Sequence, residues 1–173
     1  MTKRLSCIFL LIVLFFGCQP EKEVKEVDYS QMQESLLESN KNAAKLENEQ
    51  IEQYIKRRQW DVVSTGTGLR YFVYQNGTGV QAKEGNVVSV FFTISLLNGK
   101  ICYTNVGTDK PEQFIVGHDD VESGLHEGIQ HLKVGDKAML IIPSHLAHGL
   151  VGDLNKIPPQ STIVYDIELV AVR

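Results

Sequence analysis

The segment ESGLHEGIQHLKVGDKAMLIIPS at 122–144 decides the fold of this chain, because it predicts a short helix, a tight stop and a buried strand. Lys133 and Gly135 are typical of a helix C-terminus, which favours a cation and a residue that tolerates positive φ. The run 138–143 is apolar on both faces and Pro143 closes it. We therefore expect one helix lying across one sheet. The helix face is marked by apolar residues at steps of four, four and three: Val121, Leu125, Ile129 and Leu132.

The chain from Gly66 onward alternates strand-like runs with turn residues. Two of the runs end at Asn76-Gly77 and Asn98-Gly99, pairs that suit positive φ. In the last run apolar residues alternate with Asp166 and Glu168, so one face of that strand should meet water. The pattern predicts an α+β fold in which an antiparallel sheet wraps around one short helix. The predicted strands cover 69–75, 87–97, 100–106, 113–116, 138–143 and 162–172.

A long N-terminal helix is predicted over 30–58, since this stretch lacks Gly and Pro and has Asp28 or Ser30 as a candidate N-cap. Its apolar stripe is narrow and broken, which leaves two interpretations open. Either the stripe seals a homodimer through the helix 30–58, or the helix is a solvated stalk with only 51–60 packed on the domain. The stripe consists of Met32, Leu36, Ala43, Leu46, Ile51, Tyr54 and Ile55.

The first residues indicate export. Lys3 and Arg4 precede an apolar run at 5–16, which is shorter than the roughly 20 residues that a spanning helix needs. The sequence FFGC ending at Cys18 resembles a bacterial lipobox, which implies that this cysteine is lipidated; the alternative is an ordinary signal peptide. We expect four parts: a lipoprotein signal peptide at 1–17, a tether at 18–28, a helical stalk at 29–60 and the folded domain at 61–173.

Charge and cysteine content exclude several function classes. The net charge is −4 and no basic stripe is present, which argues against a nucleic-acid partner. Cys7 lies in the removed segment and Cys18 would carry lipid, so Cys102 remains as a thiol without a disulfide framework. Of the five histidines, only His145 and His148 are closely spaced, and no ligand set is completed around them. We expect no metal and no cofactor.

Three segments carry a family resemblance: VVSVFFTISLLNGKICYTN, GLHEGIQHLKVGDKAMLIIPSHLAHG and IPPQSTIVYDIEL. In order and spacing they resemble the FKBP-type peptidyl-prolyl cis-trans isomerases over about 66–172. With the lipobox and the stalk, the chain is similar to the exported isomerase lipoproteins of that family that are associated with gliding motility. The resemblance implies an FKBP-like sheet wrapped on its short helix.

Proline isomerisation needs no nucleophile, metal or general base. Rotation about a peptide bond meets a barrier of about 18–20 kcal/mol, and the twisted amide loses resonance and charge separation. An apolar pocket that excludes water therefore favours the twisted state over the planar one. The site is expected among apolar and aromatic residues.

The resemblance implies catalytic roles for Phe92 and Tyr165, which keep an aromatic wall, and for His148, which replaces a tyrosine that donates a hydrogen bond. Val121 and Ile157 match apolar lining residues. The other expected substrate-binding residues are Glu122, through its backbone N–H, and four departures from the family pattern: Cys102, Tyr103 and Glu112 on the walls and Leu125, in place of a tryptophan, on the floor.

The expected function is a peptidyl-prolyl cis-trans isomerase that assists the folding of exported proteins. The four departures keep an alternative open, a catalytically weak or inactive FKBP-fold chaperone or scaffold that binds proline-containing segments in the cell envelope. The expected partners are X-Pro-containing or unfolded exported proteins. The expected location is a lipid anchor in a bacterial membrane, namely the outer membrane on its periplasmic face.

Overall fold

A computed structural model describes residues 29–173. The predicted signal peptide, the tether and Cys18 lie outside the described residues. None of the helices in 29–173 is long and apolar enough to cross a membrane. In chain order the elements are α1 Tyr29–Arg58, β1 Val63–Ser64, β2 Arg70–Gln75, β3 Val87–Leu96, β4 Ile101–Thr104, β5 Glu112–Ile115, α2 Ser123–Ile129, β6 Lys137–Ile142, a 3-10 turn Ser144–Leu146 and β7 Ile163–Val172.

Contacts divide the chain into two compact units, with the boundary between Glu38 and Ser39. Within the first unit the described residues, 29–38, are helical and exposed. The second unit holds the whole sheet and the rest of α1. The sheet is antiparallel throughout, in the order β1-β2-β6-β7-β3-β4, and β5 pairs with β3 beyond that path. The predicted α+β class, with a short helix on the sheet and a long N-terminal helix, is confirmed.

Helix α2 lies close against strand β6 because two of its residues lack side chains. A Cβ on Gly124 would lie 2.3 Å from Cγ2 of Ile142, and a Cβ on Gly128 would lie 2.6 Å from Cδ1 of Leu140. Only glycine permits this approach at both positions. Ile129, one residue beyond the second glycine, is fully buried in the same core. This packing fixes the start of α2, where Glu122 and Leu125 stand.

The opposite face of the sheet is covered by the C-terminal half of α1. Ile51, Tyr54 and Ile55 are buried against Ile141 and Val164, and Trp60 packs onto the edge of this second cluster. The packing of 51–60 on the domain, one of the two interpretations of the helix, is therefore observed. Because α1 covers this side of the sheet, the face of β7 that was expected to meet water is only partly exposed.

Two turns differ from the predictions made from the sequence. Helix α2 ends at Ile129, so Leu132 is buried from a following turn in which backbone bonds tighten to a three-residue spacing. Val121, which was also expected on the helix face, lies two residues before the helix begins. Gly77 does not adopt a positive φ. Glycine is required at this position for another reason: a Cβ would lie 2.2 Å from the carbonyl oxygen of Val134. The two-residue strand β1 was not predicted.

Candidate active site

A cavity of about 590 Å³ opens between strand β3, the start of α2 and the loop after the 3-10 turn. Two of the predicted site residues do not line it: Cys102 and Ile157 are 3% and 2% exposed and belong to the core beneath it. The other eight lie together on its wall: Phe92, Tyr103, Glu112, Val121, Glu122, Leu125, His148 and Tyr165.

The apolar part of the cavity comes from neighbouring strands and the start of α2. The rings of Phe92 on β3 and Tyr165 on β7 lie 5.6 Å apart between centroids and are inclined by 54°, which is a favourable aromatic geometry. Leu125, almost fully buried, forms the floor. Val90 and Ile94 add apolar surface that was not assigned to the site, although the period-two alternation of β3 places them on the same face as Phe92.

The Glu122 carboxylate lies inside the cavity, next to the apolar part of its wall. Oε2 of Glu122 accepts a hydrogen bond of 2.9 Å from the Tyr165 hydroxyl, and Oε1 lies 3.0 Å from Nε2 of His148. Burial, together with the charge of Glu122, raises the pKa of Tyr165, so this hydroxyl stays protonated and donates. The Glu122 side chain is only 10% exposed. It therefore joins two of the three predicted catalytic residues, a role that the sequence comparison had assigned only to its backbone.

The backbone N–H of Glu122 is also placed for binding. Among residues 29–173 it has no hydrogen-bond acceptor, whereas its carbonyl oxygen accepts from the N–H groups of Leu125 and His126 at the start of α2. A free N–H at the edge of an apolar cavity can donate to the carbonyl group of a bound peptide. This geometry is compatible with the backbone role expected for Glu122.

A second hydrogen-bonded pair holds the opposite wall. The Tyr103 hydroxyl donates to Oδ2 of Asp153, whose Oδ1 accepts from the backbone N–H groups of Asn155 and Ile157 at 2.9 and 2.7 Å. Burial alone would raise the pKa of Asp153, but these hydrogen bonds outweigh it and lower the pKa to about 2. The bond to Asp153 in turn raises the pKa of Tyr103. Ile157 thus takes part by anchoring this loop from the core.

Cys102, like Ile157, supports the wall of the cavity from the core without lining it. Its Sγ lies 3.6 Å from the carbonyl oxygen of Lys156, in the same loop, and burial raises the pKa of its thiol. The thiol is therefore an inert packing group beneath the wall. The loop residues Asp153 and Asn155 also line the cavity, and the sequence did not predict them because a polar residue in a loop carries no periodic signal. Phe114, Asp120 and Ala147 complete the lining that the sequence did not assign.

The cavity can accept a small apolar ring and orient it with a few polar groups, as ligand pockets generally do. Within the part of the chain that the structure describes, no three His, Cys, Asp or Glu side chains are grouped to hold a metal ion. Nothing in the arrangement resembles a nucleophile paired with a base. The chemistry available is binding, exclusion of water and hydrogen bonding.

Comparison with known proteins supplies a family. The family model described as FKBP-type peptidyl-prolyl cis-trans isomerase matches residues 79–170, which include the cavity. A probable FKBP-type peptidyl-prolyl cis-trans isomerase of Haemophilus influenzae is 35% identical over 113 residues, 65% of this chain and 46% of its own length. The FKBP-type peptidyl-prolyl cis-trans isomerase FkpA of Escherichia coli is 37% identical over 112 residues, 65% of this chain and 40% of its own.

Solved structures agree with these relatives. The crystal structure of FkpA from Escherichia coli superposes with a TM-score of 0.66 at 29% identity and covers 98% of this chain and 82% of that one. The crystal structure of AtFKBP13 gives a TM-score of 0.62 at 27% identity and covers 66% of this chain and 100% of that one. The chain spans less than half the length of the two curated relatives described above.

Proposed function

Since the chain belongs to the FKBP-type peptidyl-prolyl cis-trans isomerase family, we propose that it catalyses rotation about X-Pro peptide bonds in exported proteins. The observation that carries this proposal is the cavity walled by Phe92 and Tyr165 and floored by Leu125, inside the segment that matches the family. Its size suits a proline ring with the flanking backbone.

The mechanism follows from the cavity's polarity. A proline ring seated against Phe92, Tyr165 and Leu125 removes water from the bond that precedes it. The planar amide loses hydration there, whereas the twisted amide has a smaller charge separation on its carbonyl group and loses less. The N–H of Glu122 would orient the bound peptide by donating to a carbonyl oxygen. Binding energy from the ring thus lowers the barrier of about 18–20 kcal/mol without a covalent step.

NMR exchange spectroscopy on a short X-Pro peptide tests the proposal. The wild-type protein should make cis-trans exchange faster than the uncatalysed reaction, whose time constant is tens of seconds or longer. Phe92→Leu keeps the apolar volume but removes one aromatic wall, and should weaken the acceleration without unfolding the protein. A wild-type protein that binds the peptide but leaves exchange at the uncatalysed rate would support the non-catalytic chaperone or scaffold instead.

We further propose that the protein is exported and anchored by lipid on Cys18, at the outer membrane facing the periplasm. The support is the charged, apolar and small-residue order of 1–18. Cys18→Ser should move the protein from the membrane fraction to the soluble fraction, and unchanged membrane association would rule out lipidation there. If the protein takes part in gliding motility, as its resemblance to motility-associated lipoproteins implies, a deletion strain should spread poorly on agar.

We propose that the partners are unfolded or X-Pro-containing exported proteins and, through the helix 30–58, a second copy of the chain. Large apolar side chains stand exposed along α1, among them Met32, Leu36 and Leu46 at 57–59% exposure. Burying them would stabilise a dimer by the hydrophobic effect. Analytical ultracentrifugation should show a dimer that Leu36→Glu dissociates. A monomer at every accessible concentration would exclude the interface.

A further inference from the structure

Helix α1 carries one carboxylate that bonds the two segments leading to His148 and Tyr165 of the candidate active site. Oε1 of Glu47 accepts hydrogen bonds from the backbone N–H of Ser144 at 2.7 Å and from the hydroxyl of Thr162 at 2.6 Å. Its Oε2 accepts a third bond, of 2.8 Å, from the Ser144 hydroxyl. Thr162 is 4% exposed and Glu47 is half-buried. Hydrogen bonds to a carboxylate in such surroundings are stronger than bonds between neutral groups.

The two bonds that Ser144 donates to Glu47 act on the segment that carries His148. Ser144 opens the 3-10 turn after Pro143, and the first N–H groups of such a turn have no acceptor within it. Glu47 supplies that acceptor. The carbonyl oxygen of Ser144 then accepts from Ala147 and Gly149, at 3.0 and 2.7 Å, on either side of His148. The position of the His148 backbone therefore depends on the turn that Glu47 holds.

The bond that Thr162 donates to Glu47 acts on the segment that carries Tyr165. Thr162 directly precedes strand β7, and Tyr165 is the third residue of that strand. One carboxylate thus joins the two segments whose side chains converge on Glu122.

We propose that Glu47 is a positioning residue of the active site: it sets the separation of His148 and Tyr165, and hence the shape of the proline cavity, from the helix on the far side of the sheet. The proposal rests on the proposed isomerase function. It gives the C-terminal half of α1 a part in turnover in addition to its apolar packing. A displacement of the order of 1 Å at a catalytic group is enough to cost about a hundredfold in rate.

The test compares Glu47→Ala with Glu52→Ala in the full chain. Glu52 lies on the same helix and, among the side chains of residues 29–173, bonds Arg70 at 2.9 Å, so its replacement loosens the same helix without removing a bond to the turn or to Thr162. Exchange rates measured over a series of peptide concentrations separate kcat from KM. We expect Glu47→Ala to lower kcat about tenfold, with KM within about twofold, because the loss falls on transition-state geometry. Glu47→Gln, which keeps an acceptor, should recover part of kcat.

A second measurement does not depend on turnover. The ¹³C–¹H signals of the His148 ring should shift in Glu47→Ala and stay in place in Glu52→Ala. If Glu47→Ala does not fold, Ser144→Ala removes one bond to the same carboxylate and should give the same pattern more weakly. Equal kcat values for the two variants, or an unmoved His148 signal, would overturn the proposal. An inactive wild type with the expected His148 shift would reject the isomerase function and leave the positioning contact standing.

Discussion

Ile51→Ala is expected to destabilise the protein strongly, because this residue joins α1 to the sheet. Ile51 is 1% exposed and packs with Ile141 and Val164, both fully buried. Removing a buried isoleucine side chain costs its transfer free energy and leaves a cavity, together about 2–5 kcal/mol. With a urea dependence of about 2 kcal/mol per molar, the unfolding midpoint should fall by about 1–2.5 M.

The chain offers its own probe for this measurement. Trp60 is its only tryptophan, and its ring lies 5.6 Å from that of Tyr54 and 4.9 Å from that of Phe72. Its fluorescence therefore reports both the docking of α1 and the integrity of the sheet. Unfolding should be followed by this signal and by circular dichroism, whose coincidence would justify a two-state treatment.

Leu46→Ala is the matched control, since Leu46 lies on the same helix and is 59% exposed. At protein concentrations at which the chain is monomeric, its change in free energy of unfolding should stay within about 0.5 kcal/mol. Equal midpoints for the two variants would refute the reasoning, because they would mean that α1 is not packed on the sheet in solution. Both variants should be measured at two protein concentrations, since dimerisation would make the midpoints depend on concentration.

Three further predictions concern the cavity and its supporting turns. Gly77→Ala should lower the thermal midpoint by an amount equivalent to about 1–3 kcal/mol, because the added Cβ meets the Val134 carbonyl oxygen; an unchanged midpoint in calorimetry would contradict the close approach. Tyr165→Phe removes one donor from Glu122 and should cost about 1–3 kcal/mol in urea unfolding while prolyl exchange is retained. The pKa of Asp153 is lowered to about 2, so its carboxylate should stabilise the fold above about pH 4 and lose that contribution as the pH falls towards 2. The free energy of unfolding of Asp153→Asn should therefore differ most from that of the wild type near neutral pH. A difference that does not change with pH would exclude this mechanism.

Sequence periodicity was sufficient to predict the parts of the fold that bury an apolar face. Leu125, Ile129 and the run Leu140 to Ile142 are all buried, as spacing predicted, because a helix or strand with an apolar face has few other ways to remove it from water. The end of α2 was misplaced since Leu132 continues the same spacing after the helix has ended. Periodicity reports burial and not the hydrogen bonds that define the element.

The polar connections of the site could not be predicted in the same way. Glu122 and Tyr165 are 43 residues apart, and Glu47 meets Ser144 and Thr162 across 97 and 115 residues. A single sequence contains no signal that pairs such residues, because each carboxylate would be equally stable in water. Family resemblance assigned positions to the cavity wall, but Cys102 and Ile157 show that a matching position can support the wall from the core without lining it.

If the protein acts on unfolded exported chains, as proposed above, the short lengths of its outer strands have a consequence for it. The path of paired strands ends in β1, of two residues, and β4, of four, and β5 is also four residues long. Long exposed edges are templates on which foreign strands add and aggregate. The outer strands therefore offer such clients only short lengths of backbone on which to add, which would limit the risk that an aggregating chain extends the sheet.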